Sequence, residues 1–208
     1  MKFLNKELGK SPLFDLNGSD TIKSLQQEAL KEFNKHGLPN KNWEDWKYSD
    51  FSLLNKMSFT FGLRKNISSL PSPFPEINNT NQIVIINGYY QKDLSSISNK
   101  ISVKTIEEAY KTNSELIHNL LAPNSNPFHN INSAMINSGL MIIVNDNEII
   151  KDPIHIINYT SDLDEPIMNH PLFIIKAGNG SEASIIEHYY GSTKIEYWQN
   201  SVTKIELS

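Results

Sequence analysis

"GLMIIVNDNEIIKDPIHIINYTSDLDEPIMNHPLFIIKAGNGSEASIIEHYYG", residues 139 to 191, decides the fold. Here and just beyond, GLMIIVN, EII, PIHIINY, PLFIIKA, EASIIEHYY, KIEYW and SVTKIEL succeed one another, each rich in β-branched or aromatic residues. Most are separated by Asn, Asp, Gly or Pro, so the stretch reads as a series of short strands joined by turns. Strands at this spacing fit a sandwich, a barrel or a β-solenoid, and periodicity alone does not choose among them. The pattern stops at Ile205-Glu206-Leu207-Ser208 with no closing helix or polar cap. A sandwich should close, whereas a stack of rungs can simply be cut, so the solenoid is favoured and the chain is expected to be truncated at its C-terminus.

Upstream the period changes from two to about 3.6. Ile22, Leu25, Ala29 and Phe33 recur at three- and four-residue steps between Asp20, a candidate N-cap, and Gly37, a candidate stop, which predicts an amphipathic helix. The aromatic segment GLPNKNWEDWKYSDFSLL, residues 37 to 54, follows as a short helix or turn capped near Asn42. Residues 66 to 82 hold Pro71, Pro73 and Pro75 among Ser and Asn and suggest a loop or boundary. Two regions are therefore expected: 1–75, helical, and 76–208, strand-rich with two inserted helices at about 105–121 and 127–138. QIVIING, residues 82 to 88, should be a buried strand with Ser102 and Val103 as a short partner. Thr105 and Glu108 form a capping box ahead of the first inserted helix; Asn126 and Pro127 start the second.

Composition narrows the function. The 208 residues are enough for one sizeable domain or two small ones. A formal net charge of -4 offers no basic footprint for nucleic acid. The absence of cysteine removes disulfides, thiolate metal sites and a cysteine nucleophile. No apolar run has the length of a signal peptide or membrane span, so a cytoplasmic protein is expected.

No active site assembles from the motifs. His36, His118, His129, His155, His170 and His188 contain no i, i+4 pair of the kind that binds zinc on a helix, and no metal site is expected. Glu187 and His188 are neighbours on a strand and so point to opposite faces. AGNGSEA (177–183) and YGSTK (190–194) lack the spacing of a phosphate loop and read as turns. The acidic pairs Glu44-Asp45 and Glu107-Glu108, and the trio Asp162, Asp164 and Glu165, lie in the aromatic segment, a helix start and a loop, respectively. A helix dipole accounts for Glu107 and Glu108 without catalysis. Trp43 and Trp46 could be contact hot spots, but at amphipathic spacing core packing is the more frequent use.

Taken together, several segments resemble the SufB/SufD family of iron-sulfur cluster assembly proteins. They are GLP…E.WKYS…LL (37–54), INGYY (86–90), NPFHNINSAMINSGLMIIV (126–144), DPIHIINYT (152–160), HPLFIIKAGNGSEASIIEHYYG (170–191) and NSVTKIEL (200–207). The likeness runs from about residue 20 to the end and is closer to SufD than to SufB. His170 is a departure, since family members often carry Arg before that strand. The resemblance implies a right-handed parallel β-helix with N-terminal α-helices, of which this chain holds the N-terminal half. It implies a non-catalytic scaffold subunit of the SUF iron-sulfur cluster assembly complex, with SufB-like and SufC-like partners engaged through a C-terminal part absent here. Cofactors would then belong to the complex: the Fe-S cluster, ATP through the SufC partner, and the reduced flavin associated with such complexes. No residue of this chain is assigned to any of them. The open end of the β-helix is expected to favour self-association. The residues by themselves also admit two other classes: a ligand- or carbohydrate-binding β-solenoid with aromatics exposed along one face, and a β-helical lyase or hydrolase. The latter wants clustered Asp, Lys and Arg, yet Arg64 is the only arginine and lies outside the rungs.

Overall fold

The computed structural model describes residues 1–11, 20–65, 67–71 and 77–208. The expected boundary at residues 75 and 76, with Pro73 and Pro75 of the stretch before it, lies outside the described residues.

Helix α1 (Lys2–Glu7) and helix α2 (Asp20–His36) come first. The apolar stripe of α2 buries Ile22, Ala29, Leu30 and Phe33, and the chain leaves the helix at Gly37 with φ +69°, a conformation that glycine adopts without strain. The aromatic segment forms one 3-10 turn at Glu44–Trp46 and the short helix α3 (Ser52–Lys56). Strands β1 (Thr60–Phe61), β2 (Asn81–Ile86), β3 (Tyr89–Tyr90) and β4 (Ile101–Thr105) follow. The capping box forms as the sequence predicts, with Thr105 Oγ1 accepting from Glu108 N and Glu108 Oε2 accepting from Thr105 N, and it opens α4 (Ile106–Leu121). Asn126 Oδ1 accepts from the amides of Phe128 and His129 to start α5 (Pro127–Met135). That helix ends three residues before the expected limit of 138, because Asn137 and Ser138 are drawn into the sheet corner described below.

The remaining strands are dealt in turn to three sheets. β5 (Ser138–Val144), β6 (Ile154–Thr160) and β7 (Ile167–Asn169) are followed by β8 (Pro171–Ala177), β9 (Ile185–Gly191) and β10 (Tyr197–Gln199), each of which pairs in parallel with the strand three places earlier. β11 (Val202–Leu207) then pairs in parallel with β8. The sheet orders are β1-β7-β10, β11-β8-β5-β4 and β3-β2-β6-β9. Among the described strands, β3 pairs antiparallel with β2 and β4 antiparallel with β5, and the other pairings are parallel. The molecule is thus mainly β, with helices attached.

Two expectations change. β4, which includes Ser102 and Val103, joins β5 rather than β2. EII forms no strand: Ile149 makes one isolated parallel bridge to Glu182, because the segment lies in a turn stacked on the next turn, with Asn147 N donating to Asn179 O.

Alternation along the strands builds the core. Ile83, Ile85, Ile154 and Ile156 face Leu140, Ile142, Phe173 and Ile175 across the interior. The reverse face of the β5-β8 sheet, through Met141, Leu172 and Ile174, packs on Ile106, Ala109, Ile117 and Leu121 of α4 and on Ile22 of α2. Covered on both faces, these strands read as unbroken apolar runs. A second cluster joins Leu4, Ala29, Phe33, Ile131 and Met135 to Phe59, Phe61, Met168 and Trp198, so the N-terminal helices and the third sheet share one core.

Candidate functional site

A polar constellation lies inside the molecule, at the corner where the strands of the β5-β8-β11 sheet begin. Register places Asn137, His170 and Asn200 one above another, the first two immediately before a strand start and Asn200 two residues before β11. Asn137 Oδ1 accepts from His170 N at 2.8 Å, and Asn200 Nδ2 lies 3.2 Å from His170 Nδ1. The second hydrogen of that Asn200 amide goes to Phe128 O at 2.9 Å. Asn132 of α5 closes the corner, donating to Pro171 O and Asn200 O at 3.0 and 2.7 Å. Helix α5 is thereby bound to two successive rungs through a single amide.

His170 is completely buried, edge-on to Trp198 at 4.9 Å between centroids. Burial lowers its pKa to about 3, so the ring is neutral throughout the physiological range. Its Nδ1 accepts from Asn200, which leaves the proton on Nε2, where there is no partner. A neutral, enclosed imidazole of this kind positions backbone; it offers no open lone pair to a metal or substrate.

The other histidines are dispersed. His36 is exposed, 3.6 Å from Glu32. His118 meets Tyr110 Oη at 2.9 Å. His129 Nε2 contacts Ala122 O at 3.0 Å, and burial lowers its pKa. His155 and His188 lie side by side on β6 and β9 with centroids 5.7 Å apart. Burial first, then the neighbouring His188, lowers the pKa of His155. Among the described residues, no three His, Asp or Glu side chains gather where a metal ion could be held.

Glu187 and His188 do diverge. Glu187 accepts from Thr203 Oγ1 at 2.7 Å and from Tyr189 Oη, toward β11, while His188 faces His155. Burial and the Glu187 carboxylate raise the pKa of Tyr189, so the phenol stays protonated. Of the acidic groups, Asp162 joins the loop after β9 through Lys194 at 3.4 Å and through Ser192 Oγ. Glu108 serves the helix cap, and Glu44 pairs with Lys47 at 2.6 Å. AGNGSEA is a turn whose Asn179 N donates to Asp146 Oδ1, and Gly191 of YGSTK ends β9.

The aromatic segment divides. Trp46 packs into a triad with Phe51 and Phe128, at 5.4 and 5.1 Å, which fixes the segment to α5. Trp43, half-buried, stands edge-on to His36 at 6.5 Å. Tyr48 is 92% exposed and Leu53 68%, so this part of the segment faces outward.

The sequence does not mark the corner amides, because Asn occurs nearly everywhere in this chain and single positions carry little weight. A signal exists: Asn137, His170 and Asn200 stand just ahead of the strands at intervals of 33 and 30 residues, the spacing of successive rungs. Among the described residues, no helix is long and apolar enough to cross a membrane.

Residues 10–156 match the family described as the SufBD protein N-terminal region. An iron-sulfur cluster assembly SufBD family protein of Synechocystis sp. is 25% identical over 163 residues, covering 73% of this chain and 35% of that protein. The chain therefore spans about a third of that relative's length.

Proposed function

Because the chain belongs to the SufBD family, we propose that it is a non-catalytic, SufD-like scaffold subunit of a SUF iron-sulfur cluster assembly complex in the cytoplasm. The observation that carries the reading is the family match across most of the chain, joined to strands dealt in threes to parallel sheets. Continued in that manner, the strands form a right-handed parallel β-helix, since parallel crossovers in this hand are strongly preferred. The division at 1–75 and 76–208 is part of the same proposal, as are SufB-like and SufC-like partners and a complex that holds the cluster and hydrolyses ATP. The interior His170 and its amides suit a scaffold, because their polar capacity goes to joining rungs and a helix rather than to a reacting atom.

Affinity purification of the tagged protein from its own cells tests this. A SufB-like and a SufC-like protein should be recovered with it, and cells deleted for it should lose activity of Fe-S enzymes such as aconitase under iron limitation. Recovery of neither partner together with normal aconitase would overturn the proposal.

A further inference from the structure

Two Asn-Gly pairs fall within the described residues, Asn87-Gly88 and Asn179-Gly180. In such a pair the backbone nitrogen of the second residue can attack the asparagine side-chain amide, because glycine has no Cβ to screen that nitrogen. The two pairs share this chemistry and differ in setting. Asn87, in the turn between β2 and β3, is 0% exposed. Its Nδ2 donates to Leu63 O and to Ser161 Oγ at 3.0 Å each, and its Oδ1 accepts from Ser161 N at 2.9 Å. The Asn87 Cγ cannot swing toward Gly88 N without breaking all three bonds.

Asn179 and Gly180 are both exposed, in the turn between β8 and β9. Among the described residues the Asn179 side-chain amide has no hydrogen-bond partner, and neither has Gly180 N. Gly180, at φ +63°, has open space beside it: a Cβ there would meet only Asn147 within 4 Å. The backbone around the pair is pinned to the turn after β5. Asn179 N donates to Asp146 Oδ1 at 2.9 Å, and Asn147 N donates to Asn179 O at 2.8 Å. That second bond polarises the peptide unit to which Gly180 N belongs, drawing charge from the nitrogen and making its N–H more acidic. A free side chain, an accessible and activated nitrogen and solvent therefore meet at this turn.

We propose that Asn179 is a site of deamidation through Gly180. The Gly180 nitrogen, its proton lost to hydroxide, bonds to Asn179 Cγ, and the side-chain nitrogen takes up a proton and leaves as ammonia. Water then opens the succinimide ring at either carbonyl. Attack at Cγ gives aspartate on the original backbone; attack at the α-carbonyl gives isoaspartate, with the chain running through the former side chain. Either product sets a carboxylate near Asp146, and isoaspartate adds a methylene to a turn where Gly178 leaves no room for a Cβ against Asp146. The modification thus loosens the contact between successive turns. This inference is independent of the scaffold reading.

Peptide mapping by mass spectrometry of the purified protein, aged at mildly alkaline pH in ¹⁸O-water, tests this. The peptide holding Asn179 should convert to a mixture of aspartate and isoaspartate that carries solvent oxygen in the new carboxylate. Asn87 should convert about a hundredfold more slowly, since its three hydrogen bonds must break first. In urea the two sites should convert at similar rates. Amide hydrogen exchange at Asn147 should quicken as the protein ages, and Asn179→Gln, whose longer side chain closes a ring far less readily, should age without that change. The proposal fails if Asn179 stays intact, if the folded protein converts Asn87 as fast, or if Asn87 stays slow in urea. It fails equally if aspartate is the sole product, which would mean direct hydrolysis of the side chain without Gly180.

Discussion

Two neighbouring strands of one sheet, the interior β8 and the edge strand β11, carry similar alternating sequences with opposite outcomes. In β8, Phe173 and Ile175 face the interior and are 0% and 2% exposed; their register partners on β11 are Thr203 and Ile205, and Ile205 is 58% exposed and Leu207 79%. The β9 strand shows the same contrast. Ile156 on β6 is fully buried, while its partner on β9 is Glu187, hydrogen-bonded to Thr203 and Tyr189. An inward position is buried only if another rung lies over it, so apolar pattern and burial are separate properties in stacked strands.

Four measurements break or sharpen that contrast. Phe173→Ala should be the most damaging, because it opens a cavity between two rungs; a loss of about 3–5 kcal/mol in denaturant unfolding is expected. A loss under 1 kcal/mol would mean that the stack collapses around the gap.

Next comes acid sensitivity of the interior corner. The folded pKa of His170, about 3, lies below its unfolded value of about 6.5. The unfolded chain therefore takes up a proton that the folded protein refuses, and stability falls as pH is lowered from about 6.5 toward 3. At pH 5 the loss from this group is about 2 kcal/mol relative to pH 7.5. His129 and His155, also lowered by burial, act in the same direction. His170→Asn, which continues the amide column, should flatten the slope between these pH values; an unchanged slope would place the sensitivity elsewhere.

Asn126→Ala removes the acceptor from two amides at the start of α5 and should cost about 1 kcal/mol, read as a lowered melting temperature. Leu207→Ser, at the uncovered end, should change stability by no more than about 0.5 kcal/mol. A large loss there would show that Leu207 is covered in solution, and sedimentation would then reveal self-association that the same substitution abolishes.

Much of this architecture was legible in advance because its causes are local. The stop at Gly37, the capping box at Thr105 and Glu108, and the Asn126-Pro127 start each depend on residues within one turn of each other. Strand existence likewise follows from short runs such as PIHIINY and PLFIIKA. The aromatic segment was half legible: Trp46 packs as its spacing suggests, yet Tyr48, two residues on, faces solvent, because the turn is too short to carry a helical period.

What the sequence by itself determined is the set of elements, their caps, and the family to which they belong. Only the tertiary structure decided that β4 joins β5, that EII is a turn, and that Asn137, His170 and Asn200 stand in one column. The physical reason is range. Caps and alternation act between residues a few positions apart, whereas the column depends on register between strands some thirty residues apart, which the packing of whole rungs sets.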